Sequence, residues 1–297
     1  MTSRTTLVRE RPTAVQHSVA AGVKTILLHI QNDELLDCRL ETALSLARAC
    51  GAHLSCLHVT PIEAYVALDS FGGVFVMNDV IQRLDDEELR LRLTLEEKLR
   101  SEDAAWDYLE VTGNVPTQII RHATLADLIV VGREADRADF VSPAIGLLGD
   151  LLHRSRTPLF IPRDDGRAVD PTGAVIIAWD ASHEAANAVR AAVGLLKLAS
   201  DVQIVQVREP DKAEAFPATR VLEYLSRHGI HADMKIEPQS GAKRGGVADV
   251  LLAHARAADA AYMVMGGYHH SRVGEYLFGG VTRTLLGSCP VPLFIAH

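Results

Sequence analysis

Short apolar runs alternate with amphipathic helical patterns along almost the whole chain. The runs are rich in β-branched residues and lie between polar segments, which is typical of buried strands. Between them, apolar residues recur every three or four positions, as at Leu40, Ala43, Leu44 and Ala47, which is typical of a helix with one buried face. Strands that alternate with helices predict parallel βαβ units and an α/β fold.

The same pattern sets the expected elements. The predicted strands are 25–30, 53–59, 106–112, 128–132, 159–162, 175–179, 201–207, 232–237, 261–266 and 293–296. The predicted helices are 39–50, 79–101, 115–124, 142–155, 185–198, 213–228, 246–257 and 279–288.

The two halves of the chain repeat each other. Residues 128–132 correspond to 262–266, and the Pro-Leu-Phe-Ile sequence at 158–161 recurs at 292–295. Both pairs are separated by 134 residues (266 − 132 and 292 − 158). A constant offset over this distance indicates a duplicated unit. We therefore predict two tandem doubly wound parallel sheets of five strands each.

The chain divides into four segments on this interpretation. Its 297 residues suit about two domains. Residues 1–22 mix arginines with polar residues and lack the apolar core of a secretory signal, which predicts a flexible N-terminal tail. Charges, glycines and prolines replace the apolar pattern near 164–173, which predicts a linker between domains at 23–163 and 174–297.

The composition argues against some classes of partner and indicates the redox state of the cysteines. The formal net charge of −8 argues against a nucleic-acid partner, because binding phosphates over a large surface needs a basic face. No apolar stretch approaches the roughly 20 residues that span a bilayer, so we expect no membrane partner. Four cysteines without a C-x-x-C pair fit reduced thiols in a cytoplasmic protein.

The most informative chemistry lies near the end of the chain. An apolar run ends in Gly266-Gly267, and a second glycine pair, Gly279-Gly280, opens another helical pattern. A glycine after a buried strand lets a ligand approach the backbone closely, and the first turn of the next helix offers free N–H groups to an anion. This order is typical of a phosphate-binding strand, loop and helix.

On these residues the chain resembles tandem universal stress proteins of the UspA family, over nearly all of 23–297. The resemblance implies Rossmann-like, adenine-nucleotide-binding domains that pack as an intramolecular pseudo-dimer through their last strands, 159–162 and 293–296. ATP-binding members carry G-x-x-G, nine further residues and then G-[ST], with an aspartate at the end of the first strand. Gly266 and Gly279 fill the first and later glycine positions, and Asp180 matches the aspartate.

Each half departs from that motif. In the second half, His269 stands where the second glycine is expected and Gly280 where a serine or threonine is expected. In the first half, the expected residues are replaced by Gln31, Ala135 and Ile145, and only Gly132 and nearby Gly146 remain. The resemblance therefore implies that the second domain holds any nucleotide and that the first is a structural partner.

The ligand implied by the resemblance is ATP or another adenine nucleotide, with or without Mg²⁺, and the departures leave a ligand-free protein open. The nucleotide-binding residues that it implies are Asp180, Val207, Gly266, Gly267, Gly279, Gly280, Val281 and Thr282. Asp180 also has a plain structural interpretation, because an Asp-x-Ser sequence before a helix is a good N-terminal cap.

Three functions stay open at this point. The first is a stress-response protein that binds or senses an adenine nucleotide, and the second is a nucleotide-free scaffold for protein partners. The third, an ATP-hydrolysing or nucleotidyl-transferring enzyme, lacks support because the sequence shows no nucleophile beside a base. It also shows no metal-ligand spacing around His269 and His270. We expect a non-enzymatic protein without a structural metal, assembled as a homodimer.

Overall fold

A computed structural model of the chain describes residues 4–5, 22–62, 67–68, 74–75, 78–133, 146–163, 165–208, 217–238, 246–267 and 280–297. The strands of the first half are β1 (Arg4–Thr5), β2 (Thr25–Ile30), β3 (His53–Pro61), β4 (Ala67–Leu68), β5 (Val74–Phe75), β6 (Ala105–Gly113), β7 (Leu128–Val130) and β8 (Leu159–Ile161). Its helices are α1 (Leu36–Cys50), α2 (Asn78–Arg100), α3 (Val115–His122) and α4 (Gly146–Arg154).

The second half repeats this order. Its strands are β9 (Val175–Trp179), β10 (Val202–Arg208), β11 (Asp233–Pro238), β12 (Tyr262–Gly266) and β13 (Leu293–Ala296). Its helices are α5 (His183–Leu196), α6 (Thr219–Arg227), α7 (Gly246–Ala257) and α8 (Gly280–Ser288). Each predicted strand and helix has a counterpart among the described residues, so the predicted α/β fold is confirmed.

One sheet of eleven strands runs through the described part of both halves, in the order β1-β6-β3-β2-β7-β8-β13-β12-β9-β10-β11. Within each half, the five main strands are parallel and follow the same order. The halves meet where β8 pairs antiparallel with β13, with Phe160 opposite Phe294. The predicted pairing of the last strands is therefore confirmed.

Alternate residues of the strands feed two apolar layers, one on each face of the sheet. Ile26 and Ile177 belong to the layer that α1, α2, α5 and α6 cover. Leu27 and Ile176 belong to the layer under α3, α4, α7 and α8. Because both faces are covered, the central strands read as continuous apolar runs rather than as alternating ones.

The segment between the halves is docked on α1. The single thiol proton of Cys38 is shared between the carbonyl oxygens of Arg163 and Arg167, which lie 3.6 Å and 3.5 Å from Sγ. The Ser45 hydroxyl donates to the Val169 carbonyl at 2.9 Å, and the Val169 side chain is buried. These contacts hold the connection against the first half.

The N-terminal segment makes one pairing among the described residues. Arg4 and Thr5 pair antiparallel with Glu110 and Leu109 of β6. Residues 6–21 lie outside the described part, so a flexible tail stays a prediction. None of the helices among the described residues is both long enough and apolar enough to cross a membrane.

Candidate functional site

Three strands of the second half end side by side at one edge of the sheet. Trp179, the last residue of β9, is in register with Gln206 of β10, so one further residue puts Asp180 beside Val207. On the other side, Val264 of β12 is in register with Ile177, and two further residues put Gly266 beside Trp179. Strand order reverses at β9, and ligands of doubly wound sheets bind at such reversals.

A tight turn joins β9 to α5 at this edge. The Asp180 carboxylate accepts a hydrogen bond from the Ser182 N–H at 3.0 Å, and the Ser182 hydroxyl accepts one from the Ala185 N–H at 3.1 Å. Ser182 is therefore the N-terminal cap of α5, while Asp180 orders the turn before it. Ala181 between them has a φ of 60° and is completely buried. The cap thus falls to Ser182, and the Asp180 side chain stays exposed at the edge.

Gly266 has a packing role in this turn. A Cβ at Gly266 would lie 2.6 Å from the backbone nitrogen of Ala185 and 2.6 Å from the carbonyl carbon of Glu184. Only glycine therefore lets the first turn of α5 rest against the end of β12. This contact explains the glycine without a ligand, and it also brings the Asp180 turn against β12.

Gly267 is enclosed by side chains from both halves. Its N–H donates to the Ala296 carbonyl at 2.8 Å, which extends the β12–β13 pairing by one residue. A Cβ there would lie 2.9 Å from Ile295 and 3.3 Å from Leu152 of α4. The close approach at Gly267 is thus made by the protein itself, and contact with a ligand stays a prediction.

The first turn of α8 presents the remaining described site residues. Gly280 is exposed and has open space where a Cβ would be, Val281 is half-buried, and Thr282 is buried. The first N–H groups of a helix have no partner within the helix, so this turn can donate to an anion. Gly279, His269, His270, Ser271 and Arg272 lie outside the described residues.

The corresponding edge of the first half carries a buried arginine. Arg39 of α1 is 1% exposed, donates to the Gln31 carbonyl at 2.7 Å, and pairs with the Asp33 carboxylate at 2.9 Å. A Cβ at Gly132, the counterpart of Gly266, would lie 2.7 Å from the Arg39 Nη1. The guanidinium therefore occupies the space beside this glycine.

Family comparison identifies the chain. Residues 22–145 and 172–297 each match the model of the Universal stress protein family. The chain belongs to the universal stress protein family. It contains two tandem universal stress domains, as the sequence predicts. No curated protein matches the chain in sequence.

Two solved structures share a similar fold over both universal stress domains. A universal stress protein from Archaeoglobus fulgidus DSM 4304 is 19% identical, with 92% of this chain and 97% of that chain covered and a TM-score of 0.69. A functionally unknown protein from Pseudomonas aeruginosa PAO1 is 19% identical, with 93% of each chain covered and a TM-score of 0.59. A universal stress protein in complex with cAMP is 16% identical, with 48% of this chain and 97% of that chain covered and a TM-score of 0.32.

Arg39 is the feature that sequence reasoning missed. Ile26 pairs with Leu128 as Val175 pairs with Tyr262, and counting onward from these pairs puts Arg39 opposite Ala188 of the second universal stress domain. The available signal was a charged residue on the apolar face of α1, where the duplicated helix has alanine.

His29 lies near Arg39, and His58 lies near His29. Burial, the charge of Arg39 and the nearby His58, in decreasing order of effect, lower the pKa of His29 from 6.5 to about 3. Burial also lowers the pKa of His58, although Glu88 and Glu110 oppose that shift. Both imidazoles are therefore neutral at pH 7, and the edge of the first universal stress domain keeps one buried cation.

The cysteines are the other potentially reactive side chains among the described residues. All four cysteines are buried and free of disulfides. Burial raises the pKa of Cys50 to about 11 and raises the pKa of Cys56 and Cys289, so these thiols stay protonated. Among the described residues, no three His, Cys, Asp or Glu side chains are grouped to hold a metal ion.

Proposed function

We propose that this universal stress protein binds an adenine nucleotide in its second domain and serves in the stress response as a nucleotide-binding or nucleotide-sensing protein. The supporting observation is the alignment of Asp180, Val207 and Gly266 at the ends of three adjacent strands, where strand order reverses. The first turn of α8 supplies N–H donors for the phosphates.

In this proposal each described residue has a distinct role. The Asp180 carboxylate accepts a hydrogen bond from the adenine amino group, and main-chain groups near Val207 flank the base. Gly266 and Gly267 border the ribose and phosphates, while Gly280, Val281 and Thr282 donate through their N–H groups, together with Gly279. The nucleotide binds with or without Mg²⁺.

The first domain is proposed as a structural partner without a nucleotide. The buried Arg39 guanidinium takes up space beside Gly132, and Gln31 stands in place of the aspartate. A ligand at this edge would have to displace a side chain that already holds the Gln31 carbonyl and the Asp33 carboxylate. Arg39 therefore favours a single site per chain.

Titration with ATP, in the presence and absence of Mg²⁺, tests the proposal by calorimetry. We expect one site per chain, weakened at least tenfold in Asp180→Ala, because a hydrogen bond to a charged group contributes about 1.5–3 kcal/mol. Asp180→Asn keeps a side-chain oxygen that can accept from the Ser182 N–H but removes the negative charge. This variant therefore distinguishes the effect of losing the charge from the effect of disrupting the turn.

Asp170→Ala is the matched control for this titration. Asp170 also orders a turn, since its carboxylate accepts from the Thr172 N–H at 2.9 Å, but it lies in the segment between the domains. Binding that is equal in wild type and Asp180→Ala, or weakened equally by Asp170→Ala, would refute the site.

A nucleotide-free scaffold for protein partners is the second candidate. It is favoured by the packing of Gly266 and Gly267, because other parts of the protein fill the space beside both glycines. Mass spectrometry of small molecules released on denaturation separates the two candidates, because the scaffold releases no nucleotide and does not respond to added ATP.

The remaining parts of the proposal concern setting and assembly. We place the protein in the cytoplasm as a homodimer that catalyses no reaction. We also propose two domains at 23–163 and 174–297, a tail at 1–22 and a linker at 164–173. An assay for ATP turnover with Mg²⁺ tests the non-enzymatic assignment, since release of phosphate or pyrophosphate in proportion to protein would contradict it.

A further inference from the structure

A cavity of about 240 Å³ lies between α5 and α6 of the second domain. Its apolar lining comes from Trp179 at the end of β9, Ala186 and Val189 of α5, and Val221 and Tyr224 of α6. An apolar cavity of roughly 150 Å³ holds one benzene molecule, so this one has room for an aromatic ring with a short substituent.

Two arginines border the same cavity. Arg190 of α5 and Arg220 of α6 are exposed lining residues. Arg190 donates to the side chain of Asn187, and neither arginine has a carboxylate partner within the described part of the chain. The cavity therefore joins an apolar interior to two guanidinium groups whose charge is not neutralised locally.

The indole of Trp179 forms part of the apolar lining. Trp179 is 5% exposed, and its buried Nε1 donates no hydrogen bond among the described residues.

We propose that the α5–α6 cavity binds a small monocarboxylate with one aromatic ring or a short branched chain. The apolar body packs against Trp179, Val189 and Val221, and the carboxylate pairs with Arg190 and Arg220. Guanidinium and carboxylate groups form paired, charge-assisted hydrogen bonds. An uncharged ligand leaves both guanidinium groups without a partner.

This site is separate from the proposed nucleotide site. The Trp179 side chain belongs to the layer under α5 and α6, whereas α8 covers the opposite face of the sheet. A wider cleft of about 540 Å³ between the two halves shares Arg190 and Tyr224 with the cavity. Arg190 therefore borders both the cavity and the cleft.

Tryptophan fluorescence provides the test, because the chain has only two tryptophans, Trp106 and Trp179. All variants carry Trp106→Phe, so that Trp179 is the single reporter. Phenylacetate and 4-methylpentanoate are titrated as probes, and phenylacetamide is the uncharged control. We expect saturable changes in emission with both carboxylates, in the millimolar range or below, and a response at least tenfold weaker with phenylacetamide.

Variants separate the cavity from nonspecific effects. Arg190→Gln combined with Arg220→Gln should weaken phenylacetate binding at least tenfold, and Ala186→Leu should abolish it by filling the cavity. Arg227→Gln is the matched charge control, because Arg227 lies on α6 outside the lining and pairs with Glu223 at 3.6 Å. It should bind like the parent.

Several outcomes would overturn the inference. These are no saturable response to either carboxylate, equal binding of phenylacetamide, or unchanged binding by Ala186→Leu whose circular dichroism matches the parent. Competition by ATP would also overturn it, because it would merge this cavity with the nucleotide cleft. Unaltered carboxylate binding in Asp180→Ala is expected whether or not ATP binds, so the two proposals fail independently.

Discussion

Arg39 lies against Gly132, where a Cβ would come within 2.7 Å of its guanidinium nitrogen. The counterpart glycine of the second domain, Gly266, lies instead against the backbone of α5. The glycine at this position of the duplicated unit thus contacts a different group in each domain. In one domain a side chain fills the space, and in the other a helix terminus does.

A double-mutant cycle tests the first of these contacts. Gly132→Ala should destabilise the protein by about 1–3 kcal/mol, because the methyl group displaces a packed side chain. In an Arg39→Met background the cost should fall by at least about 0.5 kcal/mol, since the flexible thioether can yield. Denaturant unfolding measures both values, and equal costs in the two backgrounds would show that the residues are uncoupled.

Two glycine substitutions in the second domain should differ sharply. Gly266→Ala forces a methyl group against the backbone of Glu184 and Ala185, so we expect a loss of roughly 2–3 kcal/mol. Gly280→Ala meets open space at the start of α8 and should stay within about 0.5 kcal/mol of wild type or gain stability. Thermal unfolding of both variants checks the contrast, and similar melting temperatures would contradict the packing role of Gly266.

His29 should give the first domain a pH-dependent stability. Its pKa is about 3 in the folded chain and 6.5 for an ordinary histidine, so the unfolded chain binds an extra proton between these values. The stabilisation is therefore complete above pH 6.5 and declines as the pH falls toward 3. Between pH 7 and pH 5 the loss should be about 2 kcal/mol.

Denaturant unfolding at pH 7 and pH 5 measures this difference. His29→Asn should lose less stability than wild type over this interval, because the side chain no longer titrates. His231→Asn, at an exposed position, is the matched control and should behave as wild type does. A wild-type slope in His29→Asn would exclude His29 as the source.

The turn before α5 allows a comparison of identical substitutions. Ala181 has a φ of 60°, which costs an L-residue about 1–2 kcal/mol relative to glycine. Ala181→Gly relieves that strain while losing a buried methyl group and gaining unfolded-state freedom, so we expect nearly unchanged stability. Ala192→Gly, inside α5 and equally buried, should cost about 2 kcal/mol. Equal losses at both positions would argue against strain at Ala181.

Most of the fold follows from local patterns in the sequence. The strands at 25–30, 175–179 and 293–296 and the helix at 246–257 have the predicted bounds, because apolar runs with polar flanks define them. The sequence pattern predicts that α1 starts at Arg39, but the helix begins at Leu36. Leu35 before it makes no side-chain cap hydrogen bond, so no capping residue marks this start in the sequence. A helix that begins without a capping side chain gives little signal in the sequence.

The site was only partly predictable. Sequence shows that Gly266 needs a close approach, but it cannot show whether a ligand or the first turn of α5 makes that approach. Arg39 lies on α1, which follows β2, but its side chain lies against Gly132 at the end of the neighbouring strand β7. Such long-range placement depends on how α1 packs, which the local pattern does not encode.

The antiparallel pairing of β8 with β13 has a consequence for assembly. The last strand of each universal stress domain pairs with the last strand of the other domain in the same polypeptide. This contact therefore forms at an effective concentration that dilution does not change. A second copy of the chain finds no vacant strand at that seam. Any homodimer must therefore be built from surfaces elsewhere on the molecule, such as the outer edge at β11.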